Sequence, residues 1–419
     1  MAMTIIEKIL STHSTGADVV PGQIVTCEVD RVVMLDLQFV RGTPQPRNLF
    51  DASRLAIVLD HAAPAPTVLD ADSHRAARKF AEEFGITELF DIGRQGISHQ
   101  IVLEHALTLP GQALACADSH SCASGVLNSA ARGLGNLEIL QIICTGSTWY
   151  RVPETVLVEF VGIKPGYVSG KDVFLAMADV LGSVEGRAIE FSPRNLDQLS
   201  IDERSTIATM CAELSAEFAI FPADDVLLAY LSQRTARAFT VADADVGATY
   251  AEHHMIDLAA LVPRVAKPGF VPGNTVPIAE LGDPVRIDQG FIGSCANGKL
   301  SDLAVAAHVL HGRTIAAGVR LLVTPASQDV YLQAVKLGYV TTLLEAGAVV
   351  TNSTCGACYG GHMGVVGAGE VCITSSTRNF QGRMGSDKAQ IYLAGSATVA
   401  ASAVTGVITD PRPYLEATS

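Results

Sequence analysis

Basic residues are scarce in this chain. Lys and Arg number 29 against 43 Asp and Glu, which leaves a formal net charge of -14. A field of that sign repels nucleic acid and anionic membrane surfaces, so neither is an expected partner. It also means that a polyacid substrate must be drawn in by local arginines and helix N-termini. Charged residues make up only 17% and hydrophobic residues 48%, which excludes a disordered chain and describes a globular one with large buried sheets. Long apolar runs are missing too. The longest uncharged stretch, residues 391–408, is rich in Ala, Gly, Ser and Thr and reads as a buried small-residue helix, so no membrane anchor is expected. Residues 1–8 lack the apolar core and cleavage site of a secretory signal. With an odd count of nine cysteines, a reducing cytoplasm is the expected compartment. Internal repeats and low-complexity tracts are absent.

A length of 419 residues exceeds one hydrophobic core and predicts two or three domains. Segments of strand character alternate with segments of helical character along the chain, which means α/β. Residues 4–14 read as an amphipathic helix, and 23–39 alternate in the manner of strands, with Asp30 and Asp36 as interruptions. The short apolar strand 55–59 ends on Asp60 and His61. Open α/β sheets place their chemistry at such C-terminal strand ends, although without further context a histidine there more often merely caps a turn. Residues 73–84 read as a charged surface helix. His99 and Gln100 open the next helix, and the strand 112–116 runs into Asp118, Ser119 and His120. Adjacent residues on a strand end cannot stack as nucleophile, base and orienter, so a ligand-binding and proton-relay role is the better reading. Residues 125–140 and 201–218 read as helices, the latter carrying Glu213 on an apolar stretch, where a carboxylate is either paired or functional. The Pro- and Gly-rich segment 262–283 reads as a linker. Domains are expected at 1–163, 164–284 and 285–419.

The last unit carries the metal chemistry. Cys355 and Cys358 form a Cys-x-x-Cys pair, with Cys295 upstream at a strand-to-helix turn. Alone, the pair fits a redox dithiol, a zinc site or a cluster. Three thiolates can hold an iron–sulfur cluster by three corners and leave one iron open. Arg378 and Arg383 follow in a Gly-rich segment, and arginine forks bind carboxylates at two points. The Gly-rich stretch 364–369 has the wrong order for a dinucleotide fingerprint.

With these residues in hand the chain resembles the aconitase superfamily, most of all its isopropylmalate dehydratase and homoaconitase large subunits. The likeness runs through Asp60-His61, Gly96-Ile97 with His99-Gln100, Ala117-Asp118-Ser119-His120, and Thr148-Trp149 with Val152-Pro153-Glu154. It continues through Leu199-Ser200 with Asp202-Glu203-Arg204 and Glu213, Phe291-Ile292-Gly293-Ser294-Cys295 with Asn297-Gly298, the cysteine pair, and Arg378-Asn379-Phe380 with Gly382-Arg383-Met384-Gly385. The resemblance implies three α/β/α domains packed around a [4Fe–4S] cluster on Cys295, Cys355 and Cys358, without the family's swivelling domain. It implies a hydro-lyase that isomerises a substituted malate such as 3-isopropylmalate or homocitrate. His61 with Asp60, His99 with Glu213, and His120 with Asp118 would handle the departing hydroxyl's proton. Arg378, Arg383, Gln100 and Ser119 would bind substrate carboxylates. A separate small subunit would bring the catalytic serine.

The sequence departs from the pattern at Thr377 and Thr209, where Asn is usual, at Tyr359 and Ala357 in the cysteine motif, and at Leu35 before Asp36. An amide-to-hydroxyl change shortens the reach of a hydrogen-bond donor. These departures keep other substrates open, among them a dimethylmalate-like acid, and also a subunit that has kept the fold and lost turnover. An RNA-binding iron sensor is disfavoured by the acidic balance.

Overall fold

The computed structural model describes residues 2–14 and 18–416. Three sheets built mainly of parallel strands carry the chain. The first has the order Glu88–Phe90, Leu55–Val58, Arg31–Leu35, Ala113–Cys116, Ala130–Gly133, all parallel. Its central strands are buried throughout, as expected where helices cover both faces. The second sheet runs Phe218–Ile220, Arg187–Phe191, Glu154–Val161, Glu252–Asp257, again all parallel. The third has seven strands in the order Thr275–Pro277, Arg264–Ala266, Gln390–Ala394, Val371–Thr374, Gln289–Ile292, Arg320–Val323, Val349–Val350. An antiparallel ribbon of Ile24–Glu28 and Ser147–Arg151 stands apart from these.

Sheet membership does not follow chain order strictly. The strand Glu154–Val161, expected in the first unit, is central in the second sheet. The segment expected as a linker holds two short strands, Arg264–Ala266 and Thr275–Pro277, which pair antiparallel on the edge of the third sheet. Residues 125–140 are not one helix. The turn Ser121–Leu127 ends on Asn128 in the left-handed region (φ +57°), the strand Ala130–Gly133 follows, and the helix Asn136–Thr145 comes after. Short apolar runs rich in alanine fit strand or helix equally by periodicity. The helix expected over 201–218 stops at Met210, and after Ser215 (φ +62°) the chain becomes a strand. The uncharged run 391–408 divides at Gly395 into the strand Gln390–Ala394 and the buried helix Ser396–Thr405. No helix among the described residues is long and apolar enough to cross a membrane.

One hydrophobic core joins the first two sheets, with Leu35 and Val58 of the first in the same cluster as Phe160 and Phe191 of the second. Phe191 stacks on Phe221 at 3.9 Å between ring centroids. The seam is close: a Cβ placed on Gly125 would lie 1.7 Å from the Ala219 carbonyl oxygen, so only glycine fits there. A separate core lies beneath the third sheet. The C-terminal ends of the first and third sheets' parallel strands deliver their loops to one place, where the site lies.

Candidate active site

Most groups of the site sit just past the end of a parallel strand. Asp36 follows Arg31–Leu35, Asp60 and His61 follow Leu55–Val58, and Asp118 to His120 follow Ala113–Cys116. From the third sheet, Cys295 follows Gln289–Ile292, Cys355 and Cys358 follow Val349–Val350, and Thr377 and Arg378 follow Val371–Thr374. These ends enclose a small cavity of about 20 Å³, lined by Asp60, His61, Ile97, His99, Asp118, His120, Ser294, Cys295, Cys355, Cys358, Tyr359, Thr377 and Arg383.

The three thiols share this cavity. Ser294 holds a left-handed conformation (φ +81°) that turns the chain at Cys295. Cys355 and Cys358 flank a single tight turn, with the Cys358 N–H donating to the Cys355 carbonyl at 3.2 Å. The Cys355 thiol donates to Asp60 Oδ1 at 2.9 Å. Burial raises the Cys295 and Cys355 thiols above their ordinary range. Burial acts the same way on Cys358, but the Arg383 guanidinium, 3.9 Å from its sulfur, and neighbouring donors bring it below.

Thr354 ties the two halves together: its hydroxyl contacts the carbonyls of Asp60 at 2.7 Å and His61 at 2.9 Å. Asp60 Oδ2 accepts from the Ser98 N–H at 2.9 Å, fixing the helix Ser98–Glu104 and hence His99.

The imidazoles pair differently from the expectation. His99 Nε2 lies 2.8 Å from Asp118 Oδ1, and His120 Nε2 lies 2.9 Å from Glu213 Oε1. His99 with Glu213 and His120 with Asp118 were expected. His120 does touch Asp118, through its own backbone N–H at 2.7 Å and with Nδ1 at 3.4 Å. His120 therefore spans two carboxylates, because the helix Ile201–Met210 ends where Glu213 reaches over it. Burial would raise Asp118, but hydrogen bonds from His120 and His99 hold it well below the carboxylate range. Burial would lower His61; Asp60, Asp36 and Asp118 around it raise it instead. Its Nε2 stands 3.9 Å from Asp118 Oδ2 and its Nδ1 3.8 Å from Asp60 Oδ1.

Arg378 donates from Nε to Glu213 Oε1 at 2.8 Å and from Nη2 to Ser119 Oγ at 2.9 Å. Arg383 lines the cavity directly, whereas Arg378, Ser119 and Glu213 are not among its lining residues. Gln100 is not brought to the cavity. Its amide turns away to Glu104 Oε1 at 2.9 Å, which also accepts from Ser327. Of the two threonine departures, Thr377 lines the cavity, 3.9 Å from Cys358 Sγ. Thr209 does not; its hydroxyl donates back to Ser205 O within its own helix.

Two groups escaped the sequence reading. Asp36, taken as an interruption, is a buried carboxylate that accepts from the His61 and Ala62 N–H groups at 3.3 and 2.8 Å. His74, on the helix Val68–Phe84, is buried against it. The spacing of Ser73, His74, Ala77, Phe80 and Ala81 does mark one buried face of that helix.

The family model described as the aconitase family (aconitate hydratase) matches residues 57–406. The 3-isopropylmalate dehydratase large subunit of Mycolicibacterium smegmatis is 54% identical over 98% of this chain and 97% of its own length. The 3-isopropylmalate dehydratase large subunit 1 of Pyrococcus abyssi is 41% identical over 99% of this chain and all of its own. The 3-isopropylmalate dehydratase large subunit of Lachnoclostridium phytofermentans is 39% identical over 98% and 99%.

Proposed function

The chain belongs to the aconitase family, and on that footing we propose that it is the large subunit of a hydro-lyase acting on a substituted malate, with 3-isopropylmalate the leading substrate. The observation that supports this best is the cavity itself, where three thiols and three carboxylate-flanked imidazoles line one wall-to-wall space.

The residues fit the iron–sulfur cluster that the family implies. Cys295, Cys355 and Cys358 are free thiols lining one cavity, and soft sulfur donors suit iron–sulfur chemistry. We assign those three cysteines as ligands of a [4Fe–4S] cluster. Such a cluster, held by three cysteines, supplies an open iron that polarises a substrate hydroxyl as a Lewis acid.

The protein's own groups do the rest. Arg383 presents a guanidinium to the cavity and offsets carboxylate charge there. Arg378, held between Glu213 and Ser119, is a second fork whose present partners can exchange for a substrate carboxylate. His61 has the least committed ring nitrogens of the three imidazoles, so it is placed to give a proton to the departing hydroxyl, and His99 and His120 are held in orientation by Asp118 and Glu213. Ile97 and Tyr359 are the bulky apolar walls and face the alkyl part of the acid. None of these groups is an obvious base for the carbon-bound proton. A small subunit bringing a serine supplies it, in keeping with the relatives' description as large subunits. A reading as a non-catalytic relative loses part of its motive, since Thr209 does not reach the cavity.

The test is EPR of the anaerobically reconstituted chain after mild oxidation, beside Cys358→Ser, followed by turnover with the small subunit on 3-isopropylmalate and on 2,3-dimethylmalate. A [3Fe–4S] signal that ferrous iron abolishes and the variant lacks is expected, with dehydration of one of the two acids. A wild-type chain that takes up zinc or nothing refutes the assignment.

A further inference from the structure

Asp36 and His74 have no part in the chemistry above, yet both are buried, Asp36 against His61 and His74 against Asp36. The backbone of His61 is fixed from several sides: Asp36 accepts from its N–H, and Thr354 and His362 contact its carbonyl, each at 2.9 Å. Its ring is less constrained. His61 Nδ1 is buried without a hydrogen-bond partner, and so is His74 Nε2. Each of these nitrogens lies 3.7 Å from a different oxygen of the one carboxylate, Asp36. A closure of about 0.8 Å on either side brings each pair to ordinary hydrogen-bond length.

The helix bearing His74 is packed to hold this arrangement. Phe80, on the same inner face, meets Phe39 edge-on at 5.4 Å between centroids, and Phe39 ends the short turn that begins at Asp36. An apolar residue at position 74 would fill the space without leaving a buried polar nitrogen, which costs energy when unpaired. The imidazole therefore needs a reason beyond packing, and the carboxylate it faces supplies one.

We propose that His74 and Asp36 are positioning residues for His61: Asp36 accepts a hydrogen bond from the His61 Nδ1–H, and His74 holds that carboxylate in place, so that His61 Nε2 is turned to the cavity. The inference rests on His61 acting in the hydro-lyase reaction and adds how its ring is set. Metal ligands around a reactive group are tuned by such outer partners, and the same logic extends to a proton-transferring imidazole.

The test uses the reconstituted two-subunit enzyme with His74→Leu, His74→Gln and Asp36→Asn in the large chain. The His74→Leu enzyme is expected to lose about tenfold in kcat, in the range seen for lost outer-shell partners, with KM within about twofold and an unchanged cluster spectrum. In the 15N-imidazole-labelled enzyme, the His61 Nδ1–H resonance, assigned by its loss in His61→Asn, should disappear in both His74→Leu and Asp36→Asn. The His74→Gln amide can donate from near the place of Nε2 and should restore both readouts. An unaltered His61 resonance with wild-type kcat in His74→Leu overturns the proposal, as does a His74→Gln enzyme as impaired as His74→Leu. If His74→Leu does not fold, Asp36→Asn carries the same two expectations. A wild-type enzyme inactive on every substituted malate would fail the functional reading, while the resonances still decide the positioning.

Discussion

Asp118 Oδ1 lies 2.8 Å from His99 Nε2 while also accepting from the backbone N–H of His120 at 2.7 Å. One carboxylate thereby fixes two imidazoles from two different elements. Replacing it with asparagine keeps the shape and removes the charge. The Asp118→Asn enzyme should lose about 10²–10⁴ in kcat, the range for a displaced acid–base group, with circular dichroism unchanged. Steady-state assay of the reconstituted pair checks this, and a loss smaller than about threefold would remove Asp118 from the machinery.

The identities in this network were legible in the sequence, and the pairing was not. Strand ends pointed to Asp60, His61, Asp118 and His120, because an apolar run followed by polar groups is a local pattern. Which carboxylate meets which imidazole depends on how the helix Ile201–Met210 packs against the turn Ser121–Leu127, and no local pattern carries that. His99 and His120 changed partners for this reason. Gln100 was misplaced because it neighbours His99 in sequence but points along the helix to Glu104. The α/β class was readable from strand–helix alternation. The pairing of Arg264–Ala266 onto a strand more than a hundred residues later was not, since prolines and glycines there gave a loop signal.

Arg204 is fully buried: Nη1 and Nη2 donate to Asp224 at 2.8 and 2.6 Å, Nη2 also to the Leu196 carbonyl, and Nε to the Leu199 carbonyl. Removing one member of such a set strands the remaining acceptors. Arg204→Ala should destabilise the chain by about 3–5 kcal/mol, seen as a lower urea midpoint. A shift corresponding to less than about 1 kcal/mol would mean that the pair adds little beyond its packing.

Gly125 meets the Ala219 carbonyl across the seam of the first two sheets, and its own carbonyl accepts from the Phe221 N–H at 3.0 Å. A methyl group here strikes backbone, which cannot rotate aside. Gly125→Ala should cost more than the about 1–3 kcal/mol of ordinary overpacking and lower the yield of soluble chain. A thermal midpoint equal to that of the wild type would show that the seam can open.

Glu190 gives the chain a pH dependence remote from the cavity. Its carboxyl is buried between the Tyr250 hydroxyl, at 2.5 Å, and the Ile5 N–H, at 2.8 Å. Burial, reinforced by Glu7, pushes it up from the ordinary 4.5 to about 7, although both hydrogen bonds oppose the shift. Between those values the folded chain binds more protons at this site than the unfolded chain does. Stability therefore falls as pH rises from about 4.5 through 7 and levels off above, by about 3 kcal/mol at most. Glutamine imitates the protonated acid and cannot ionise, so Glu190→Gln should flatten this part of the profile and stabilise the chain above pH 7. Urea midpoints at pH 5, 6, 7 and 8 for both proteins test it, and a variant that keeps the wild-type slope would place the titrating group elsewhere.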